Sequence, residues 1–164
     1  MKANKFFIPL LITGLLITSL LTWQITSITH APNAVFTTVT GQKIELSNLQ
    51  GSPVIITFWA TDCANCIKEI PHLIELYQQY HPLGLFHIAI AMYYDPPSHV
   101  VEMTKARQIP YHVALDLKAE HAKAFGQVQL TPTTFLISPK GNIVMQKTGI
   151  FDLNNMKQAL QLLL

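Results

Sequence analysis

Two cysteines, Cys63 and Cys66, stand three positions apart between an apolar run and a segment with helical periodicity. At the start of a helix, the helix dipole and the unpaired backbone N–H groups favour the thiolate, which is the attacking form of cysteine. Residues i and i+3 face the same way on a helical turn, so the two sulfurs are placed to form a disulfide. This arrangement predicts a redox site in which Cys63 is the nucleophile and Cys66 resolves the mixed disulfide.

Two other uses of the cysteine pair compete with the redox interpretation. A permanent disulfide is one, although closing so short a loop removes little entropy from the unfolded chain. A metal site is the other, because thiolates bind metals and the chain has seven histidines. No two of these histidines are paired at the spacing of metal ligands. We therefore expect redox chemistry, no bound metal, and no cofactor other than the disulfide between Cys63 and Cys66.

The elements around the cysteine pair form a predicted βαβ unit. Residues 54–59 are apolar on both faces, as in a central strand covered by helices. Apolar residues then recur at spacings of three and four from Asn65 to Tyr80, which predicts an amphipathic helix with Pro71 inside it. Residues 85–91 form a second buried strand. A helical connection makes the two strands parallel.

The other predicted elements are a small hairpin, two short helices, a second hairpin and a C-terminal helix. The first hairpin turns around Gly41, and the two short helices cover a cap at Ser98 to about Arg107 and residues 118–125. The second hairpin covers residues 133–148, and the C-terminal helix follows a cap at Asp152. Alternating strands and helices indicate an α/β protein.

An apolar segment lies near the N-terminus. No charged residue interrupts Phe6–Trp23, and Lys2 and Lys5 precede it. Eighteen helical residues span roughly 27 Å, close to the thickness of the hydrocarbon layer, whereas a cleaved signal has an apolar core of about 7–15 residues. We therefore expect a transmembrane helix, with a cleaved signal peptide and a buried core helix as the alternatives.

The chain is accordingly divided into three parts. Residues 1–28 are the membrane anchor or signal segment, residues 29–33 a tether, and residues 34–164 one folded domain. Lysines mark the cytoplasmic side of a membrane helix, so the domain is expected on the opposite side.

Charge composition excludes one class of function. The chain has 11 basic and 9 acidic residues, and setting aside Lys2 and Lys5 leaves nine of each. A single arginine and no cluster of lysines provide no positive surface for a phosphate backbone. We therefore exclude nucleic-acid binding.

The sequence resembles the thioredoxin-like, membrane-anchored thiol-disulfide oxidoreductases of the TlpA/ResA type. The resemblance covers about residues 34–164 and rests on FWATDCANC at the cysteine pair, on Glu69 and Pro71 beyond it, and on TPTTFLISPKGNIV from Thr131. It implies a thioredoxin fold: a central mixed β-sheet flanked by helices, with an N-terminal β-hairpin, a βα-type central insertion and an N-terminal transmembrane helix.

The same resemblance implies roles for four further residues. Pro132 would be cis and lie beside the redox pair, and Thr131 would offer its backbone to the bound partner. Trp59 would lie at the edge of the site and, with Thr131 and Pro132, would form the apolar surface that binds the partner; a plain core aromatic is the alternative. Glu69 would control proton transfer to the cysteines, although an ordinary solvated helix residue is the alternative. Its position, three residues beyond Cys66, is close enough to affect the cysteine pKa values.

Three features of the sequence depart from the family pattern. Asp62 replaces a tryptophan and puts a negative charge beside Cys63, which opposes thiolate formation. Ala64 and Asn65 replace the commoner pairs that contain proline. Thr57 stands where thioredoxins proper carry a buried aspartate, so we expect Glu69 to substitute for that acid.

The resemblance implies a protein-disulfide reductase of the bacterial inner membrane with its domain in the periplasm, or one secreted to the periplasm if the N-terminal segment is cleaved. We expect a monomer. Its partners would be cysteine-containing exported proteins, apocytochrome c among them, and a membrane electron donor. Two other functions on this fold stay open. A peroxiredoxin-like peroxidase is disfavoured by Ala60, where peroxiredoxins have threonine. A copper or other metal module is disfavoured because related copper proteins separate their cysteines by three residues.

Overall fold

The structure is a computed structural model that describes residues 30–164. The predicted membrane segment, residues 1–28, lies outside the described residues. Across 30–164, no helix combines the length and the apolar character needed to cross a membrane. His30 forms an isolated antiparallel bridge with Asn142, so part of the predicted tether lies against the domain.

Seven strands and four α-helices make up the described chain. The strands are β1 (Val35–Thr37), β2 (Lys43–Glu45), β3 (Val54–Trp59), β4 (Phe86–Ala91), β5 (His112–Leu115), β6 (Thr133–Ile137) and β7 (Ile143–Thr148). The helices are α1 (Ala64–Tyr80), α2 (Pro97–Ala106), α3 (Glu120–Ala124) and α4 (Leu153–Gln161), with 3-10 turns at Leu46–Leu49 and His81–Leu83.

A mixed five-stranded sheet forms the centre, in the order β5-β4-β3-β6-β7. Strand β4 runs parallel to β3 and β5, while β6 runs antiparallel to both β3 and β7. The predicted βαβ unit, mixed sheet and flanking helices are therefore confirmed. Strands β1 and β2 form the predicted N-terminal hairpin, which joins β5 through a bridge between Thr38 and Ala114.

The sheet separates two cores, because successive side chains of a strand point to opposite faces. We call one the redox face, where Ile55 and Trp59 of β3 pack with α1, α2 and α4. The other is the aromatic face, where Phe58 of β3 and Phe135 of β6 pack with the hairpin and α3.

Three local predictions need correction. Helix α2 begins at Pro97 with Pro96 at its N-cap, so Ser98 is not the cap; proline suits the first helical position because its fixed φ is already helical. Helix α3 covers five residues rather than 118–125. Strand β5 was not predicted, since four residues carry too short a pattern, and the central insertion therefore consists of α2 followed by β5.

Candidate active site

The cysteine pair lies where β3 ends and α1 begins. Cys63 is the N-cap of α1 and is partly exposed, whereas Cys66 is buried. The two form a disulfide with their Cα atoms 5.2 Å apart. The backbone N–H of Cys66 donates a hydrogen bond to Cys63 Sγ over 3.1 Å. A partner therefore reaches Cys63 first, at a sulfur that a helix N-terminus polarises.

The peptide bond between Thr131 and Pro132 is cis, as the resemblance implied. Pro132 precedes β6, which pairs antiparallel with β3 so that Thr133 lies opposite Phe58. The first residue of β6 thus lies beside the end of β3, where the chain leads into the loop that carries the disulfide. Pro132 is buried and Thr131 is partly exposed. Partner binding by Thr131 and Pro132 stays a prediction.

Glu69 lies on α1 in the interior, with none of its surface exposed. Its Oε1 accepts a hydrogen bond from the Phe151 backbone N–H over 3.0 Å, and Oε2 has no hydrogen-bond partner. Burial raises the pKa of this carboxyl to about 7, although the Phe151 hydrogen bond acts in the opposite direction. The alternative of a solvated helix residue is therefore wrong. The role in proton transfer remains a prediction.

Trp59 is 3% exposed and packs in the same core as Cys66. Its indole Nε1 has no hydrogen-bond partner among the described residues. Together with Cys66, Glu69 and Tyr111 it lines a cavity of about 10 Å³ under the disulfide. The ring therefore supports the site from beneath and is not part of the exposed surface around Cys63.

A buried polar group behind this cavity was not predicted as part of the site. Thr57 Oγ1 lies 3.2 Å from Thr134 Oγ1 and 3.4 Å from His87 Nε2. The His87 ring stacks obliquely on Tyr111, with centroids 3.9 Å apart. Burial, and to a lesser degree the charge of His112, lowers the pKa of His87 to about 3, so its imidazole is neutral at physiological pH.

Tyr111 connects this polar group to Glu69. Burial raises the pKa of the Tyr111 hydroxyl, and the negative charge of Glu69 raises it further. The sequence signal for this group was Thr57, a single polar residue inside the otherwise apolar strand β3. No such signal existed for Tyr111, since it precedes a strand that was itself not predicted.

A metal ion bound by the two cysteines would need further ligands from neighbouring side chains. Within residues 30–164, no cluster of three or more histidine, cysteine, aspartate or glutamate side chains is placed to hold a metal ion. Both sulfurs are joined to each other in this state. The arrangement of an accessible sulfur, a buried second sulfur and a buried acid is suited to disulfide exchange with another protein.

Comparison with known proteins gives the same chemistry. The sequence profile of the family described as Redoxin matches residues 27–160. A relative named thiol-disulfide oxidoreductase ResA from Bacillus thuringiensis subsp. konkukian is 36% identical over 120 residues, 73% of this chain and 68% of that protein. ResA of Bacillus subtilis is 34% identical over 119 residues, 73% of this chain and 65% of that protein.

Solved structures extend the similarity to the fold. A thiol:disulfide interchange protein of the thioredoxin family from Chlorobium tepidum matches with a TM-score of 0.76 and 25% identity, over 84% of this chain and 97% of that one. StoA from Bacillus subtilis matches with a TM-score of 0.67 and 26% identity, over 78% and 97%. The predicted thioredoxin-like α/β fold is confirmed for the described residues.

Proposed function

The chain belongs to the Redoxin family and is a thiol-disulfide oxidoreductase, and from that premise we propose that it reduces disulfides of exported proteins outside the cytoplasm. Residues 1–28 would anchor the domain to the bacterial inner membrane, facing the periplasm. The support for this location is the uninterrupted apolar stretch from Phe6 to Trp23 behind Lys2 and Lys5.

The proposal that this protein reduces its partners, rather than oxidising them, rests on the buried carboxyl of Glu69 beneath the disulfide. Glu69 and Cys66 line the same small cavity, so an ionised Glu69 disfavours a thiolate there. Asp62 is exposed beside Cys63, and its negative charge likewise disfavours a thiolate at Cys63. A strong oxidant such as DsbA owes its potential to a stabilised reduced form. A site with acidic groups at both sulfurs lacks that stabilisation and favours its own disulfide, which makes it a reductant.

Reduction of a partner proceeds in two exchanges. The Cys63 thiolate attacks one sulfur of the partner disulfide, forms a mixed disulfide, and the second partner sulfur leaves as a thiolate. The Cys66 thiolate then attacks Cys63 Sγ and expels the first partner sulfur. The partner gains two electrons and ends as a dithiol after protonation, while Cys63 and Cys66 become the disulfide.

Glu69 supplies the proton acceptor for the second exchange. Cys66 is buried, and a buried thiol resists ionisation. A carboxyl whose pKa is about 7 is poised to take the Cys66 proton near neutral pH. The cavity next to both residues leaves a short path for this transfer.

The partner would dock on the partly exposed Cys63 and Thr131, with the buried Pro132 supporting this surface from below. Leu130, which precedes the cis-proline segment, is 67% exposed and adds apolar surface. Apocytochrome c, whose cysteines must be reduced before haem attachment, is the proposed substrate on the strength of the TlpA/ResA resemblance. A membrane electron donor would restore the dithiol after each cycle, and monomers suffice for this cycle.

The reduction potential of the cysteine pair tests the proposed direction. The full chain in detergent is equilibrated with glutathione or dithiothreitol buffers, and the fraction of disulfide is measured. We expect about −270 mV or lower, the range of thioredoxin. A value near about −120 mV, the range of a dedicated oxidant, would contradict the proposal.

Substrate and location need separate measurements. The reduced full chain should reduce disulfide-bonded apocytochrome c with a higher kcat/KM than it reduces insulin. Equal values would contradict the proposed substrate and leave the proposed reductase activity intact.

The location is tested in spheroplasts, where added protease should digest the domain. Protection of the domain until the membrane is lysed would contradict the periplasmic location.

A further inference from the structure

Asp95 is a buried carboxylate that the exchange mechanism above does not use. It is 5% exposed and lies in the turn after β4, where its backbone N–H donates to the Met92 carbonyl over 2.9 Å. Its Oδ2 accepts a hydrogen bond from the Thr61 backbone N–H, and its Oδ1 accepts one from the Thr61 hydroxyl, both over 2.6 Å. Both carboxylate oxygens of Asp95 thus accept hydrogen bonds from a single residue, which lies in a different loop.

Thr61 belongs to the short loop that carries the reactive cysteine. The loop connects β3 to α1, and Thr61 stands two residues before Cys63. Within it, the Cys63 backbone N–H donates to the Ala60 carbonyl over 3.2 Å. The neighbouring Met92 N–H donates to the Trp59 carbonyl over 3.0 Å, so the loops after β3 and β4 are joined at two points.

Hydrogen bonds to an ionised carboxylate are short and roughly twice as strong as neutral ones. Burial of a carboxylate without partners is costly, so Asp95 and Thr61 hold each other in place. The backbone leading to Cys63 is therefore fixed by a side chain from another strand, in addition to its own turn.

We propose that Asp95 is a positioning residue for Cys63, acting through Thr61 and chiefly in the reduced protein. In the oxidised protein the bond to Cys66 itself restrains the Cys63 sulfur. Reduction breaks that bond, and the hydrogen bond from the Cys66 N–H stabilises a Cys63 thiolate only while the sulfur stays at the start of α1. The two hydrogen bonds between Asp95 and Thr61 keep the Cys63 sulfur at that position. This inference does not depend on the partner or on the direction of electron flow.

The test is the rate at which the reduced full chain reacts with iodoacetamide at Cys63, with mass spectrometry identifying the labelled cysteine. Asp95→Asn leaves one carbonyl oxygen for two donors, and Thr61→Val removes the hydroxyl donor while keeping the side-chain shape. We expect each variant to react about tenfold more slowly, the loss of about one charge-assisted hydrogen bond. Thr61→Ser keeps both donors and should react within about twofold of the wild type.

A double variant and a matched control separate positioning from general stability. Asp95→Asn combined with Thr61→Val should be no slower than the slower single variant, because both changes remove the same contact. Asp116 is also buried and accepts backbone N–H groups, from His121 and Ala122, but it follows the outer strand β5. Asp116→Asn should lower the thermal midpoint without slowing the reaction of folded protein.

The proposal is overturned if Thr61→Val reacts at the wild-type rate, or if Asp95→Asn slows the reaction no more than Asp116→Asn does. If Asp95→Asn fails to fold, the comparison of Thr61→Val with Thr61→Ser decides alone. A low or high reduction potential has no bearing on this result, so the positioning role and the proposed reductase role fail separately.

Discussion

The two faces of the central sheet differ in what they bury. On the aromatic face, the interior positions of β3 and β4 are all apolar, and the rings of Phe58, Phe125 and Phe135 lie with centroids 5.2–6.0 Å apart. On the redox face, β3 and β4 each place a polar side chain in the interior, Thr57 and His87. The same strands thus bury only apolar side chains on one face, and both apolar and polar side chains on the other.

Buried polar groups reduce the stability of the redox face. Glu69 Oε2 and His87 Nδ1 have no hydrogen-bond partner in the described part of the chain, and an unsatisfied buried polar atom costs about 1–3 kcal/mol. Edge-to-face contacts between aromatic rings contribute about 0.5–1.5 kcal/mol each beyond the area they bury. Both faces bury an apolar core, and we infer that the redox face in addition holds the titratable groups of the site, Glu69 and His87.

The largest effect should come from the disulfide itself. Cys63→Ser removes the nucleophile, so disulfide exchange should fall to the rate of the buffer, whereas Cys66→Ser should accumulate a mixed disulfide with the partner. Non-reducing electrophoresis with a disulfide-bonded partner detects the trapped species. Trapping by Cys63→Ser in place of Cys66→Ser would reverse the two roles.

A large-to-small change on the aromatic face should affect stability alone. Phe135 is 1% exposed, and Phe135→Ala should lower the free energy of unfolding by about 3–5 kcal/mol. Phe135→Leu, which keeps most of the volume, should cost less. Urea unfolding measures both, and the reduction potential of the folded variants should match that of the wild type. A shifted potential would show that the two faces are not independent.

Glu69→Gln should change how stability depends on pH. Because the pKa of Glu69 rises from 4.5 in the unfolded chain to about 7 in the folded one, the folded protein holds this proton more tightly. Raising the pH from 4 to 8 therefore removes this contribution to stability from the wild type, whereas the variant never has it, so the difference between their free energies of unfolding should change by about 3 kcal/mol. Glu75→Gln, at an exposed position of the same helix, is the control and should show no comparable change.

The smallest effect should come from His87, and with the opposite sign. Its pKa is lowered from 6.5 to about 3, so the unfolded chain binds a proton that the folded protein does not. Stability from this source is present above pH 6.5 and is lost as the pH falls. From pH 7 to pH 5 the difference between His87→Leu and the wild type should change by about 2 kcal/mol in favour of the variant. His99→Leu, on the exposed start of α2, should not show this change.

The sequence was sufficient for the elements with long or distinctive patterns. Strand β3, helix α1 and the capping of α4 by Asp152, whose side chain accepts the Asn155 N–H over 2.8 Å, all follow from local periodicity and turn chemistry. Strand β5 was missed because its four residues are stabilised by pairing with β4, a contact distant in sequence. Helix α2 begins before the predicted cap at Ser98 because Pro97 fits the first helical position, where its missing N–H and fixed φ carry no penalty.

The features of the site likewise divide into those that follow from local sequence and those that depend on distant residues. The order of Cys63 and Cys66 at the start of a helix determined which sulfur is accessible, since helix geometry is local. Whether Glu69 was solvated or buried depended on how α1 packs against distant segments, and its hydrogen-bond donor, Phe151, is 82 residues away. Asp95 and Thr61 are 34 residues apart, and only the pairing of β3 with β4 brings them together.

The sequence by itself thus determined the redox pair, the central strand before it and the helix after it, because local backbone preferences and side-chain periodicity act over a few residues. The tertiary structure alone decided the pKa of Glu69, the neutral state of His87 and the fixing of the Cys63 loop by Asp95. These properties depend on desolvation and on hydrogen bonds between distant segments, and neither exists until the sheet and helices have packed.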